Sequence, residues 1–135
     1  MIGAVILTHG LFGEELFRAA EMILGKQDKV EIISIQTGLS LDDVAGRLEN
    51  IIKSYGQDGC LVLTDMFGGS PSNISMAYLG MESVEVVSGV NLPMLLKAFT
   101  MRMDSKNTLS HIATESAEAA RQSIKVAGEL LNNVK

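Results

Sequence analysis

The chain has 135 residues, 47% of them hydrophobic and 20% charged, with no Trp and two Pro, a composition that fits one globular domain and excludes a disordered or fibrous chain. Sixteen acidic against eleven basic residues leave a formal charge of −5, which repels a phosphate backbone and argues against nucleic acid as a partner. No apolar run approaches the ~20 residues of a membrane span, the start Ile2 to Leu7 is too short for a secretory leader, and the lone Cys60 has no internal disulfide partner, so a cytoplasmic protein with a reduced, buried thiol is expected.

Ile2-Gly3-Ala4-Val5-Ile6-Leu7 is continuously apolar and stops at Thr8-His9-Gly10, the pattern of a central strand covered on both faces. Beyond Gly10 the apolar spacing turns helical at Phe12, Leu16, Ala19, Ala20, Ile23 and Leu24, with Glu14, Glu15, Arg18 and Glu21 opposite, until Gly25. Val30 to Ile35 reads as a second strand. Leu41, Val44, Leu48, Ile51 and Ile52 mark a helix that Ser40 and Asp43 open in capping-box fashion and that Gly56 and Gly59 close. Cys60 to Thr64 is a third buried strand, Ser70-Pro71 is expected as an N-cap with proline at the first helical position, and Val84 to Val87 is a fourth strand. Two helices are expected last, around Pro93 to Met103 and Ile112 to Leu131. No repeat, low-complexity run or linker divides residues 1–135.

Strands alternating with helices of this length predict a parallel sheet with right-handed crossovers, a flavodoxin-like three-layer α/β/α arrangement with strand order 2-1-3-4. In that order the first and third strands are neighbours whose connections leave in opposite directions, opening a crevice at their C-terminal ends. His9 and Asp65 stand at those two ends. Neighbouring strands lie about 4.8 Å apart, so the two side chains can hydrogen-bond. A carboxylate that accepts one imidazole N–H fixes the tautomer and leaves the other nitrogen's lone pair free, as a nucleophilic histidine requires. Gly10, Gly68, Gly69 and Ser70 lead into helices, where backbone N–H groups suit an anion such as a phosphoryl group.

Each residue also has a plainer reading: His9 as a polar turn residue, Asp65 as a loop cap, Gly68-Gly69 as a turn and Ser70 as a helix cap. Their convergence on one switch point is what favours chemistry. His111 is expected at the surface, and Met94, Met101 and Met103 in core packing with a docking surface as the alternative. Two widely separated histidines and one cysteine give no metal-ligand spacing. A flavin- or nucleotide-binding use of the crevice is the alternative of a different class, but the chain has no G-x-G-x-x-G or Walker sequence.

At these residues the sequence resembles the mannose-family IIA domains of the bacterial phosphoenolpyruvate-dependent sugar phosphotransferase system. AVILTHG at 4–10 is similar to the segment carrying the phosphorylated histidine, LTDMFGGSPSN at 63–73 to the family's Asp and Gly-Gly-Ser-Pro loop, and VSGVNLPMLL at 87–96 to its Gly-Val-Asn-Pro stretch. The resemblance implies phosphorylation of His9, with Asp65 as its hydrogen-bonding partner, Ser70 and its neighbours in the phosphoryl pocket, and Asn91 at the rim. It also implies a flavodoxin-like homodimer, the histidine phosphocarrier protein as donor, a IIB protein as acceptor, and no cofactor. The apolar content of the last two helical segments, particularly Met94 to Met103, fits the dimer. Phe67 stands where the best-known mannose-type members have Trp, and the chain ends at Lys135 with no IIB extension, so the acceptor is expected to be a separate polypeptide. Some family members exchange a C-terminal strand across the dimer, whereas this tail reads as helix. Two alternatives keep the same histidine chemistry: a regulatory module switched by phosphorylation, and the phosphocarrier subunit of dihydroxyacetone kinase.

Overall fold

A computed structural model describes residues 1–81 and 83–134. Four strands, β1 (Gly3–His9), β2 (Val30–Ile35), β3 (Cys60–Thr64) and β4 (Val84–Ser88), form one sheet in the order β2-β1-β3-β4, and every pairing is parallel. This is the flavodoxin-like order expected from the sequence. Among the described residues six α-helices surround or extend it: α1 (Phe12–Leu24), α2 (Leu41–Tyr55), α3 (Ser70–Met76), α4 (Leu92–Met101), α5 (Leu109–Gln122) and α6 (Ala127–Val134).

Alternation along β1 sends its side chains into two cores. Ala4 and Ile6 pack with Leu61 and Leu63 under Ala20 of α1, Met94 to Phe99 of α4, and Ile112 and Ala120 of α5. Val5 and Leu7 pack with Val62 and Ile33 under Val44, Leu48 and Ile52 of α2, with Ile74 and Tyr78 against the same cluster. A strand buried on both faces must be apolar at consecutive positions, which is why Gly3 to Leu7 carries no polar residue. Phe17 and Phe99 meet edge-to-face at 6.0 Å between ring centroids, a favoured aromatic geometry.

The N-terminal pole of the sheet is tied by one cation. Arg102, 5% exposed, donates to the carbonyls of Ile2, Lys29 and Asp28 and to Gln27 Oε1, and its guanidinium lies 4.9 Å from the Phe99 ring centroid. Five N–H donors in a planar fork are what lets one side chain gather the α1–β2 connection, the start of β1 and the end of α4.

Three expectations are corrected. The N-cap of α3 is Gly69, in extended conformation, so Ser70 is the first helical residue and Pro71 the second. The expected last helix from Ile112 to Leu131 is two helices: α5 begins earlier, at Leu109, where the Thr108 hydroxyl accepts the His111 N–H, and it ends at Gln122. The inward face of α5 finishes at Ala120, while Ile124 and Val126 are 77% and 62% exposed, so no core continues the helix past Ser123. Met94 is buried in the core, but Met103 is 73% exposed and lies beyond α4.

Glycine inside a helix usually costs about 1 kcal/mol relative to alanine, yet Gly13 in α1 is required by contact: a Cβ there would lie 2.9 Å from both Ile6 Cγ2 and Thr8 Oγ1. Gly46 in α2 faces open space. Urea unfolding should therefore show Gly46→Ala stabilised by roughly 0.5–1 kcal/mol and Gly13→Ala destabilised by about 1–3 kcal/mol; equal effects would refute the close approach of α1 to β1.

Candidate active site

The β1–β3 ladder ends with Leu7 opposite Thr64, but β1 stays paired with β2 until His9 opposite Ile35. Along β1 the N–H groups alternate between neighbours: Gly3 N–H donates to Gly59 O on the β3 side, and Gly10 N–H donates to Ile35 O on the β2 side. The His9 N–H falls on the β3 side, where it donates to Asp65 Oδ2 at 2.9 Å. Asp65 stands at the same chain offset from His9 as Gly59 does from Gly3. Its carboxylate thus fills the position that a main-chain carbonyl fills lower in the ladder.

The same oxygen lies 2.7 Å from His9 Nδ1, and Oδ1 accepts the Met66 N–H at 3.0 Å. Burial pushes the Asp65 carboxyl up, but the His9 main-chain N–H, the His9 ring hydrogen bond and its charge together outweigh burial and hold the group below its ordinary range. An ionised carboxylate only accepts, so Nδ1 carries a proton, and in the neutral ring the lone pair is therefore on Nε2. The His9 side chain is 51% exposed and that of Asp65 14%, so the free nitrogen is open to an incoming group while its orienting partner is mostly covered.

Gly69 approaches the ring closely: a Cβ on it would stand 3.1 Å from His9 Cε1 and 3.2 Å from Met66 Cγ. Gly68 takes φ +89° in the turn before it, a conformation that favours glycine. His9 also borders a depression with Gly10, Ile35, Gln36 and Thr37. Gly10, at φ +55°, redirects the chain into α1, and its N–H is already engaged by Ile35 rather than free for an anion. Ser70 is half-buried at the start of α3. Asn91 serves the scaffold: its Oδ1 accepts the Met94 N–H as the cap of α4, and its amide reaches Ala120 O and Ser123 Oγ at the end of α5. His111 is exposed in the first turn of α5. Cys60 is buried, which pushes its thiol up to about 12, so it is an inert core residue.

Sequence reasoning overlooked the residue before each of the two candidate side chains. Thr8 is fully buried, and its Oγ1 accepts the Gly13 N–H at 2.9 Å; Leu11, the N-cap of α1, offers no side-chain cap. Thr64 is fully buried as well and donates to Ser88 Oγ at 2.9 Å. A hydroxyl at the end of an otherwise apolar strand was the available signal. Among the described residues no three His, Cys, Asp or Glu are placed to hold a metal, and no helix is long and apolar enough to cross a membrane.

Residues 3–116 match the family model described as PTS system fructose IIA component, EIIA-man. The chain belongs to this family. The IIA domain is 33% identical over 126 residues to the mannose-specific EIIAB component of Escherichia coli K12, an alignment that takes 92% of this chain and 39% of that protein. This chain thus spans about two fifths of the length of the mannose-specific relative. It is 27% identical to the fructose-specific EIIA component of Bacillus subtilis, over 100% of this chain and 92% of that one. The crystal structure of the phosphotransferase system component EIIA from Streptococcus agalactiae superposes with a TM-score of 0.86 at 29% identity, covering 96% of this chain and 99% of that chain.

Because the folded Asp65 carboxyl lies below its ordinary pKa, its contribution to stability is present above the unfolded value of about 3.9 and is lost as pH falls through the folded one. Asp65→Asn should therefore be less stable than the parent near neutral pH, with the difference closing as urea unfolding is repeated below about pH 4. A difference independent of pH would contradict the ionised pairing.

Proposed function

We propose that this IIA domain is a cytoplasmic phosphocarrier for sugar uptake, accepting a phosphoryl group on His9 Nε2 from the histidine phosphocarrier protein and passing it to a IIB protein. The observation that carries this reading is the 2.7 Å contact between His9 Nδ1 and Asp65 Oδ2. It leaves Nε2 as the ring nitrogen with an available lone pair in the neutral imidazole, on a side chain that is half exposed.

In the transfer, the Nε2 lone pair attacks phosphorus and the bond from phosphorus to the donor's ring nitrogen breaks, its electron pair returning to that nitrogen. His9 keeps its Nδ1 proton, so its ring gains positive charge directly against the Asp65 carboxylate. Preorganised charge of this kind stabilises the transition state without reorganisation at the moment of reaction. The Gly68-Gly69-Ser70 segment supplies main-chain and hydroxyl donors for phosphoryl oxygens, with the absent Cβ of Gly69 leaving room beside the ring. Passing the group on to the acceptor breaks the Nε2–phosphorus bond, its electron pair returning to Nε2, as a nucleophile of the acceptor attacks phosphorus. The relatives named as mannose-specific and fructose-specific PTS components support sugar uptake as the setting.

Incubation with phosphoenolpyruvate, enzyme I and the histidine phosphocarrier should add one acid-labile phosphate by intact mass. His9→Ala should abolish it and His111→Ala should retain it. Asp65→Asn should remain folded and accept the group about 10- to 100-fold more slowly, since hydrogen bonds to charged groups contribute roughly 1.5–3 kcal/mol and each ~1.4 kcal/mol of barrier is tenfold in rate. Labelling of His111, or full labelling of the His9 variant, would overturn the assignment.

We also propose a homodimer. The apolar residues of α4 that suggested it in the sequence are largely core, with Met94, Leu95, Ala98 and Phe99 all buried, so the support lies elsewhere. The open edge of β4 borders a depression of about 560 Å³ that includes Phe67, Met76, Leu79, Val87, Ala113 and Ala117, and Ile124, Val126 and Leu131 are exposed. Sheet edges are ordinarily covered. Sedimentation at micromolar concentration should give twice the 14.5 kDa of one chain; a stable monomer would refute the dimer.

A further inference from the structure

The five residues from Asp65 to Gly69 form a loop with few anchors of its own. Met66 and Phe67 are 54% and 73% exposed, and besides the Asp65 carboxylate's own bonds to His9 and to the Met66 N–H the ties of the segment are Asn73 N–H to Gly69 O and the weaker Asn73 side-chain amide to Gly68 O. How well the Asp65 carboxylate is aimed at His9 therefore also depends on what fixes the residues that flank the loop. Both flanks end on the same hydroxyl. Before the loop, Thr64 Oγ1 donates to Ser88 Oγ at 2.9 Å, while the Thr64 carbonyl accepts the N–H groups of Gly89 and Val90 at 2.9 Å each. After the loop, Ser88 Oγ donates to Ser72 Oγ at 3.4 Å, and Ser72 Oγ donates to Met76 Sδ at 3.7 Å.

Thr64 and Ser72 are both 0% exposed. A hydroxyl at such a position costs stability unless it is bonded, and an apolar side chain of the same shape would pack there without that cost. Fully bonded polar chains in low-dielectric surroundings instead select one geometry. The hydroxyls of Thr64, Ser88 and Ser72 join the end of β3, the end of β4 and the first turn of α3, the three elements that bracket the Asp65 loop.

We propose that Thr64, Ser88 and Ser72 form a positioning relay that holds the Asp65 loop so that its carboxylate meets His9 Nδ1, and that the relay thereby sets the rate of phosphoryl acceptance. The kinetic part rests on the phosphocarrier reading above. The structural part, control of the His9 tautomer, does not.

Thr64→Val keeps the shape and removes the hydroxyl, Thr64→Ser keeps the hydroxyl, and Ser72→Ala removes the far anchor as a second, independent break. Two measurements are made on each full-length folded variant. The first is nitrogen-15 NMR of the unphosphorylated protein, reading how completely the His9 proton resides on Nδ1. The second is rapid-quench transfer from the phosphorylated histidine phosphocarrier. Thr64→Val and Ser72→Ala should each shift His9 toward a mixture of tautomers and slow the first-order transfer step by about 5- to 20-fold, as expected for a sub-ångström misplacement, with the donor concentration at half-saturation unchanged. Thr64→Ser should restore both to within about twofold.

Wild-type tautomer populations in both hydroxyl-free variants would overturn the relay, as would a loss in Thr64→Ser equal to that in Thr64→Val. If the parent protein accepts no phosphate at all, the phosphocarrier reading fails while the NMR comparison still decides whether the relay orients His9.

Discussion

One carboxylate finishes a β-ladder. Parallel strands exchange main-chain hydrogen bonds at even spacing, and at the end of a ladder the next N–H is left without a carbonyl. Here the orphan is the N–H of His9, and Asp65 meets it with a side-chain oxygen. The arrangement satisfies the strand end and, with the same oxygen, seizes the imidazole. Backbone and ring of one residue are thus held by a single atom, which leaves the histidine little freedom in position or rotation. The placement depends on β1 and β3 being neighbours, so strand order and site geometry are one constraint.

The surroundings follow from that bond. α1 leaves the first strand over one face and α3 leaves the third over the other, so neither helix covers the strand ends and the imidazole stays half exposed. A half-exposed imidazole can be reached by a group carried on another molecule, unlike one enclosed in a small-molecule pocket. The orienting carboxylate is under the opposite requirement: more contact with water would weaken its pairing. Exposures of 51% and 14% for the two side chains meet both demands.

Much of this was legible in the residues. Val30 to Ile35 and Cys60 to Thr64 read as strands and are strands with those bounds, because short β-branched and aliphatic runs between helical segments fit a pleated sheet. The strand order 2-1-3-4 expected from the alternation of strands and helices puts His9 and Asp65 at adjoining strand ends. What escaped was set by tertiary contact. The periodicity of the last segment runs on through Ile124 and Leu131, but with nothing for those side chains to pack against, the helix breaks at Ser123. Ser-Pro predicts a cap on the serine, yet the chain enters α3 through Gly69, which must pass close to the His9 ring. Asn91 followed by Leu92-Pro93 carried a legible capping signature, which its nearness to the crevice in the sequence motif obscured.

Arg102 lies at the other pole, where it binds four acceptors from the chain segments around Ile2 and Gln27 to Lys29. Lysine has neither the fork nor the number of donors to replace it. The molecule is therefore braced at the end of the sheet remote from His9. Met66, exposed in the loop beside the His9 ring and outside both cores, is free to drift. Substitution at such a position costs the fold almost nothing, so chains that share the buried frame can differ freely in what surrounds the His9 ring.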